Sequence, residues 1–489
     1  MKKILFFILL TATLTGCGNR QRMPISDICE ATVICDKVLP ITGTFLNLPY
    51  QDVRNKYTNP LCIQSVDPLF WKSKVRQMKK MGMEYLVLMS VANEQKAYYP
   101  SNLMGWHYAK GVQSPVDAIM EEAASLDMKV FMSTGWAYDQ DDNLRIPAIK
   151  QRQLDMMTEL ASLYKEHPAL YGWYLPVEDC LGPVLTDYAV EAVNALTDKA
   201  RELTPGKKVL ISPYGIFNSD FEDPRYEKQI CRLKVDIIAY QDEVGCVREA
   251  YPMTRLRENW KKLRAIHDKA GIHLWANCET FAWEGNTNDR TSALVPAAFN
   301  RLLSQQVAAS AAGVERIISF MINGIYEDPK AEYLLGQPHW SCVAYNDYMS
   351  WLDGSRYWSV VEAALCGKYG AVALEDPNDK FWNRYESGYN EIPLPKFEGK
   401  LESLLLRTLN CKKDNIVPPH KYALYGVDEN GYSTLLKLVD APYFANNRHD
   451  AYVDCVLIEG LANLDQYKNI KVAFYSENTT LIDRIIVNP

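Results

Sequence analysis

Eight short apolar runs rich in β-branched and aromatic residues recur at Ile41–Asn47, Tyr85–Val91, Lys129–Thr134, Leu170–Leu175, Lys208–Ser212, Val235–Tyr240, His273–Asn277 and Arg316–Met321. They mostly lack strict alternation, as strands covered on both faces do. Between them the apolar period lengthens to that of a helix. In Met253–Ala270, for example, Leu256, Trp260, Leu263 and His267 recur at three- and four-residue steps on one face. Gly271 stands where that helix should end, and Gly82 plays the same part after Met81. Eight β-then-α units in roughly 280 residues predict an α/β chain folded as a (β/α)8 TIM barrel. The alternative is a doubly wound open sheet, which calls for a glycine-rich phosphate turn after the first strand. Phe45-Leu-Asn-Leu-Pro49 is not such a turn.

After Trp351-Leu-Asp-Gly354 the texture changes. Tyr369–Leu374, Leu401–Thr408, Tyr422–Val427, Ser433–Val439, Ala451–Ile458 and Lys471–Tyr475 read as short strands. Turn signals at Asp376-Pro377, Glu429-Asn-Gly431 and Ala441-Pro442 separate them. The expected organisation is a barrel over residues 41–354 followed by a smaller antiparallel β-sandwich over 355–489, with no low-complexity linker between them.

The N-terminus is read as a targeting device. Lys2 and Lys3 precede the apolar stretch Ile4–Thr13, and Leu14-Thr-Gly-Cys17 closes it. The segment is too short to span a bilayer and resembles a bacterial lipoprotein signal peptide, which makes Cys17 the expected lipidation site and 18–40 a tether. No other stretch is long and apolar enough to span, so the membrane is expected as a partner through the anchor only. The expected location is the cell envelope, with the face left open by Gly18–Met23, which carries Arg20 and Arg22 and no acidic residue.

Hydrophobic residues at 48% and charged residues at 23% fit an ordinary large folded protein. A net charge of −7 without a basic run argues against nucleic acid as a partner and favours a neutral one. The twelve cysteines include no Cys-x-x-Cys and no zinc spacing, and Cys29 with Cys35 is the one pairing that an oxidising compartment would suggest. There is no Gly-x-Ser-x-Gly elbow, Walker loop or His-Glu-x-x-His helix, so no metal and no cofactor are expected. The oligomeric state is left open.

Two barrel runs end in an isolated glutamate: Leu170-Tyr-Gly-Trp-Tyr-Leu-Pro-Val-Glu178 and His273-Leu-Trp-Ala-Asn-Cys-Glu279. Parallel strands of a closed barrel gather their C-terminal ends around one mouth, and two convergent carboxylates are what glycosidic bond cleavage needs. Glu178 follows Pro176 and precedes Asp179, a setting in which partial burial and a neighbouring carboxylate would raise its pKa, as a general acid requires. The competing reading is a solvated residue capping the next helix. Glu279 lies four residues after Trp275 and four before Trp283, aromatics that suit a sugar ring and keep a nucleophile dry. Its competing reading is a salt bridge to an arginine such as Arg290.

Gln241, Asp242 and Glu243 close the sixth run abruptly, and Asp242 is the runner-up carboxylate, paired with Glu178 in an inverting arrangement if Glu279 points away. Asn93 and Glu94 follow the second run, Trp136 and Tyr138 the third, Tyr214 the fifth and Asn323 the eighth. With Trp275 and Trp283 they form the expected substrate-binding set, since aromatic faces stack on a pyranose while amides and carboxylates bind its hydroxyls.

The segments Ile41-Thr-Gly-Thr-Phe-Leu46, Trp71-Lys-Ser-Lys-Val-Arg-Gln-Met-Lys-Lys-Met-Gly82, Tyr98-Tyr-Pro-Ser101, Gly172-Trp-Tyr-Leu-Pro-Val-Glu178 and Tyr240-Gln-Asp-Glu-Val-Gly245 carry a family resemblance. The chain resembles a family of bacterial lipoproteins of unassigned function, with a barrel related to the glycoside hydrolases and a C-terminal β-sandwich. By position, Glu178 and Glu279 look like the acid/base and the nucleophile of the large retaining-glycosidase clan built on this barrel. That clan has Asn before the strand-four glutamate, where this chain has Val177. The resemblance implies a glycoside hydrolase acting on a glycan. The alternative is a glycan-binding surface lipoprotein without turnover, and a weaker one is a structural surface protein whose sandwich docks a partner.

Overall fold

A computed structural model describes residues 38–48, 67–136, 138, 143–178, 181–245, 253–283, 294–297, 299–322, 324–333, 340–354, 383–394, 400–410, 415–440, 452–461 and 464–487. Cys17, Cys29, Cys35, Asp179, Arg290, Asn323 and the strand expected at 369–374 lie outside these residues.

Eight parallel strands close a barrel: β1 (Ile41–Asn47), β2 (Tyr85–Ser90), β3 (Lys129–Ser133), β4 (Leu170–Tyr174), β5 (Lys208–Ile211), β6 (Ile237–Gln241), β7 (His273–Glu279) and β8 (Arg316–Phe320). Each pairs with its neighbours in chain order, and β8 returns to β1. The connecting helices are α1 (Pro68–Lys80), α2 (Pro115–Ser125), α3 (Pro147–Tyr164), α4 (Asp187–Leu203), α5 (Pro224–Arg232), α6 (Met253–Ala270) and α7 (Phe299–Ala311), with α8 (Trp340–Leu352) after β8. The predicted runs fall on these strands with shifts at their ends. The sixth strand starts at Ile237, two residues later than expected, and β7 runs on through Glu279. Several helix starts are written in the sequence as a polar cap followed by proline. Asp67 accepts from Leu69 N before Pro68, Asp223 accepts from Arg225 N before Pro224, and Ser114 and Asp117 make a reciprocal capping box around Pro115.

Two apolar layers follow from the alternation of side chains along each strand. Leu274, Ala276 and Cys278 of β7 join the large core between strands and helices, while Trp275 joins a smaller cluster inside the barrel with Phe45, Tyr85, Val87, Phe131, Tyr174 and Ile318. The end of the barrel where the strands begin is plugged by Tyr85, whose ring lies beneath Lys129 Nζ and Arg316 Cζ, each 5.1 Å from its centroid. Gly43 leaves the room for this plug, since a Cβ there would fall 2.8 Å from Tyr85 Cβ. The chain after β8 is tied to α1 by a buried ion pair, Lys74 Nζ to Glu327 Oε2 at 2.8 Å, with the other Glu327 oxygen accepting from Gly324 N.

The C-terminal strands form two four-stranded antiparallel sheets. With β9 (Asn383–Tyr385), β10 (Gly388–Pro393), β11 (Ser403–Asn410), β12 (Lys421–Val427), β13 (Ser433–Asp440), β14 (Tyr452–Glu459), β15 (Asn469–Ser476) and β16 (Thr480–Val487), the orders are β9-β16-β11-β14 and β10-β15-β12-β13. Leu404, Leu406, Val456, Ile458 and Ile482 of one sheet pack on Tyr422, Leu424, Val472 and Phe474 of the other, which makes a β-sandwich. The sequence pattern missed β9, β10 and β16. The first two are short and carry few apolar residues, and in β16 Asp483-Arg484 breaks the alternation beside a register shift against β11.

Candidate active site

Glu279 is the last residue of β7, on the same side of the strand as Trp275 and Asn277, and its residue is only 4% exposed. Four groups from two other elements fix it. Its Oε2 accepts from Gly245 N at 2.8 Å, and its own amide donates to Asp242 Oδ1 at 3.1 Å. Its carbonyl accepts from Arg301 Nη2 at 2.6 Å and Gln305 Nε2 at 3.1 Å, both on α7. Gly245 is required by close approach: a Cβ there would lie 2.2 Å from Phe281 O and 3.2 Å from Glu279 Oε2.

Asp242 is fully buried. Its Oδ1 also accepts from Val244 N, and its Oδ2 accepts from Gln305 Nε2 at 2.6 Å. Burial pushes its carboxyl pKa up, against these donors and the nearby Arg301 guanidinium. The structure thus departs from the mouth-facing arrangement expected of the runner-up carboxylate: both oxygens are engaged, by the amides of Val244 and Glu279 and by Gln305 of α7, so the group is held as a brace between strand ends. The same brace raises the Cys278 thiol pKa, through burial first and then the Asp242 charge. Next to it, Glu243 holds φ at +54° while buried, a left-handed conformation that non-glycine residues adopt rarely and mostly where the surroundings impose it. Gln241 is half-buried and donates to Ser212 O at 3.0 Å.

Glu178 lies four residues past the end of β4 and is exposed. The expected partial burial is therefore not found. Beneath it sits Tyr174, part of the inner cluster and packed edge-on to Phe45 at 5.1 Å. Burial and then the Glu178 charge raise the Tyr174 hydroxyl pKa well above its ordinary value, and Glu178 follows the C-terminal end of β4, the mouth end of the barrel.

The other expected rim residues divide. Asn93 and Glu94 lie on a small hairpin, Ala92–Asn93 with Lys96–Ala97, whose two turn residues Glu94 and Gln95 have φ of +48° and +63°. Tyr138 is exposed and Tyr214 half-buried. Trp136 is buried in the inner cluster, above Gly135, whose φ of +66° and close approach to Ala92 O exclude a side chain. Trp275 is corrected: it packs edge-on against Tyr85 at 5.1 Å and Phe131 at 6.1 Å within the barrel, so it is part of the plug and not a stacking surface. Trp283 is on the short strand Phe281–Trp283, and its side chain lies outside the described residues, as does Asn323.

Two residues escaped the sequence reading. Asn277 sits two positions before Glu279 and donates to Ser212 Oγ at 3.0 Å, and Asn47 ends β1 buried. Asn277 Oδ1 and Asn47 Nδ2 have no hydrogen-bond partner among the described residues. A polar residue at an inward position of an otherwise apolar strand was the available signal. Among the described residues no group of three or more His, Cys, Asp or Glu could hold a metal ion, and no helix is long and apolar enough to cross a membrane.

Residues 41–333 match the family profile of a domain of unknown function (DUF4434). Residues 1–17 match the prokaryotic membrane lipoprotein lipid attachment site, which makes the chain a lipid-anchored cell-envelope protein. No curated protein matches the sequence. Among solved structures, a protein of Bacteroides thetaiotaomicron provisionally named an alpha-L-fucosidase is 20% identical, with 65% of this chain and 97% of that chain covered and a TM-score of 0.51. A glycoside hydrolase family 5 protein of Bacteroides vulgatus is 12% identical over 86% of this chain and 88% of that one, with a TM-score of 0.37. A beta-galactosidase of Marinomonas ef1 is 13% identical over 66% and 61%, with a TM-score of 0.39. The first of these likenesses shows a shared fold.

Proposed function

The chain belongs to the DUF4434 family, and we propose that it is a retaining glycoside hydrolase that acts on a glycan at the cell envelope. The observation that carries this reading is Glu279: a carboxylate at the end of β7, almost removed from solvent, held by the Gly245 amide and by an Asp242–Arg301–Gln305 scaffold from two neighbouring elements. Such rigidity and dryness suit a nucleophile. Glu178 is exposed, which suits the other role, since an acid/base must give a proton to the leaving oxygen and later take one from water.

In the first step Glu178 protonates the glycosidic oxygen while Glu279 attacks the anomeric carbon, so the C–O bond to the leaving group breaks and an ester to Glu279 forms. In the second, Glu178 removes a proton from water, which cleaves that ester and restores both carboxyl groups. Two displacements leave the anomeric configuration unchanged. Asn93, Glu94, Tyr138, Tyr214 and Gln241, together with Trp136, Trp283 and Asn323, are the proposed binding set.

A second reading, glycan binding without turnover, draws on Val177, which leaves the 2-hydroxyl without the amide that the clan places there. Glu178→Gln separates the two. The hydrolase should lose about 10²–10⁴ in kcat on a panel of oligosaccharides. For a binder, wild type and variant should bind alike, and neither should release product.

The lipid anchor is tested independently. Cys17→Ser should move the protein from the membrane fraction to the soluble fraction, because the acylated cysteine is lost while the domains are untouched. Retention of the variant at wild-type levels would assign the tether to another segment.

A further inference from the structure

The chain between β2 and α2 carries an aromatic group that the proposed chemistry does not use. Trp106 is 47% exposed, although covering an indole is worth about 2–3 kcal/mol. It is nonetheless held firmly. Trp106 O accepts from Ala97 N at 2.8 Å, and Trp106 N donates to Gln95 O at 3.0 Å, so its backbone extends the 92–97 hairpin. Its ring meets two tyrosines edge-on, Tyr108 at 5.4 Å with an interplanar angle of 77° and Tyr98 at 6.4 Å with 67°. The loop is pinned to α3, where Glu159 accepts from Tyr99 Oη, Ser101 Oγ and Asn102 N, and Arg152 donates to Leu103 O.

Glu94 of the hairpin turn is exposed, as Trp106 is. Glu94, at the hairpin tip, lies close enough to Tyr98 that burial and then the Glu94 charge raise the tyrosine's pKa. Tyr108 is pushed up to about 12 by burial and by Tyr98. An exposed aromatic plane held by its backbone bonds and by two edge-on tyrosines, with the exposed carboxylate Glu94 on the adjoining hairpin turn, matches a pyranose, which has an apolar face and a rim of hydroxyls. The loop follows a strand's C-terminal end, so the plane stands on the mouth side of the barrel, with Glu178 and Glu279. Membrane and protein partners fit less well, because Glu94, Lys96 and His107, all exposed in the same hairpin and loop, put charged and polar groups among the exposed residues.

We propose that Trp106, backed by Tyr98 and Tyr108 and flanked by Glu94, is a remote glycan subsite that stacks a sugar unit several residues from the bond that is cut. The inference rests on the glycan reading of the mouth and deepens it: the substrate is an oligosaccharide or polysaccharide chain, and affinity grows with chain length.

The test uses the full chain carrying Glu178→Gln, so that bound ligand is not turned over, and gluco-, galacto-, manno- and xylo-configured oligosaccharides of two to six units. Affinity should rise with length, and adding Trp106→Ala should remove about tenfold for the longest ligands and little for the shortest. Trp106→Phe should restore part of the loss, which excludes a folding defect as its cause. Equal affinity at every length with and without the indole would overturn the subsite while leaving the hydrolase reading intact. Trp106-dependent binding with no release of product by the wild type would sink the hydrolase reading and keep the subsite. If no oligosaccharide binds the parent, both fall.

Discussion

Replacing Glu279 by glycine should abolish turnover, lowering kcat by about 10⁴–10⁶-fold, and sodium azide should bring part of it back. The variant deletes the carboxylate that the Gly245 amide holds, while the backbone interactions that fix the strand end, from Asp242, Arg301 and Gln305, involve only main-chain atoms of residue 279 and survive. A small anion can then occupy the vacated volume and attack the anomeric carbon in one displacement. The product should be a glycosyl azide of inverted configuration, while the wild type retains configuration and a fluorinated substrate analogue leaves an ester on Glu279. Inversion by the wild type, or an ester on another carboxylate, would move the nucleophile away from β7.

The second large effect belongs to Asp242, and two substitutions at that position should behave very differently. Asp242→Ala strands two buried amides, Glu279 N and Val244 N, and leaves Gln305 Nε2 with its bond to Glu279 O alone, so it should destabilise the chain by about 2–5 kcal/mol and disorder the end of β7. Asp242→Asn keeps an acceptor for the two backbone amides. Its new amide would face Gln305 Nε2, a clash of donors that Gln305 can relieve by rotating, since its Oε1 has no partner among the described residues. That rotation gives up the bond to Glu279 O, so a cost of about 1 kcal/mol is expected, with most of kcat retained. Urea midpoints and kcat for the pair are the measurement. If the asparagine variant instead loses activity by orders of magnitude at normal stability, Asp242 is chemically engaged, and the strand-six alternative gains.

The position of Asp242 in the chain reads as a mouth residue, because it follows an apolar strand and sits between Gln241 and Glu243. Its direction depends on which way the chain turns after β6, and that turn is set by the left-handed Glu243 and by Gly245 pressed against Phe281 O. Trp275 differs from expectation for a related reason: proximity to Glu279 in sequence is not proximity to the mouth. Four residues along a strand span about 13 Å, which carries the indole from the mouth to the plug. Trp106 was overlooked because nothing local distinguishes an exposed tryptophan from a buried one. Its exposure comes from the hairpin and from the Glu159 anchor, whose bonds to Tyr99 and Ser101 join residues 60 and 58 positions apart.

The sequence by itself determined the architecture, the order of the barrel strands and the two carboxylates worth testing. It could do so because strand and helix periods, polar-proline helix starts and terminating glycines are local properties, and because parallel strands joined by short crossovers must gather their C-terminal ends on one face. Tertiary structure decided what those residues face. Burial removed Glu279 from solvent and left Glu178 in it, turned Asp242 inward as a brace, and sank Trp275 into the plug. Each outcome depends on packing and hydrogen bonds between segments distant in the chain, to which no periodicity along the chain responds.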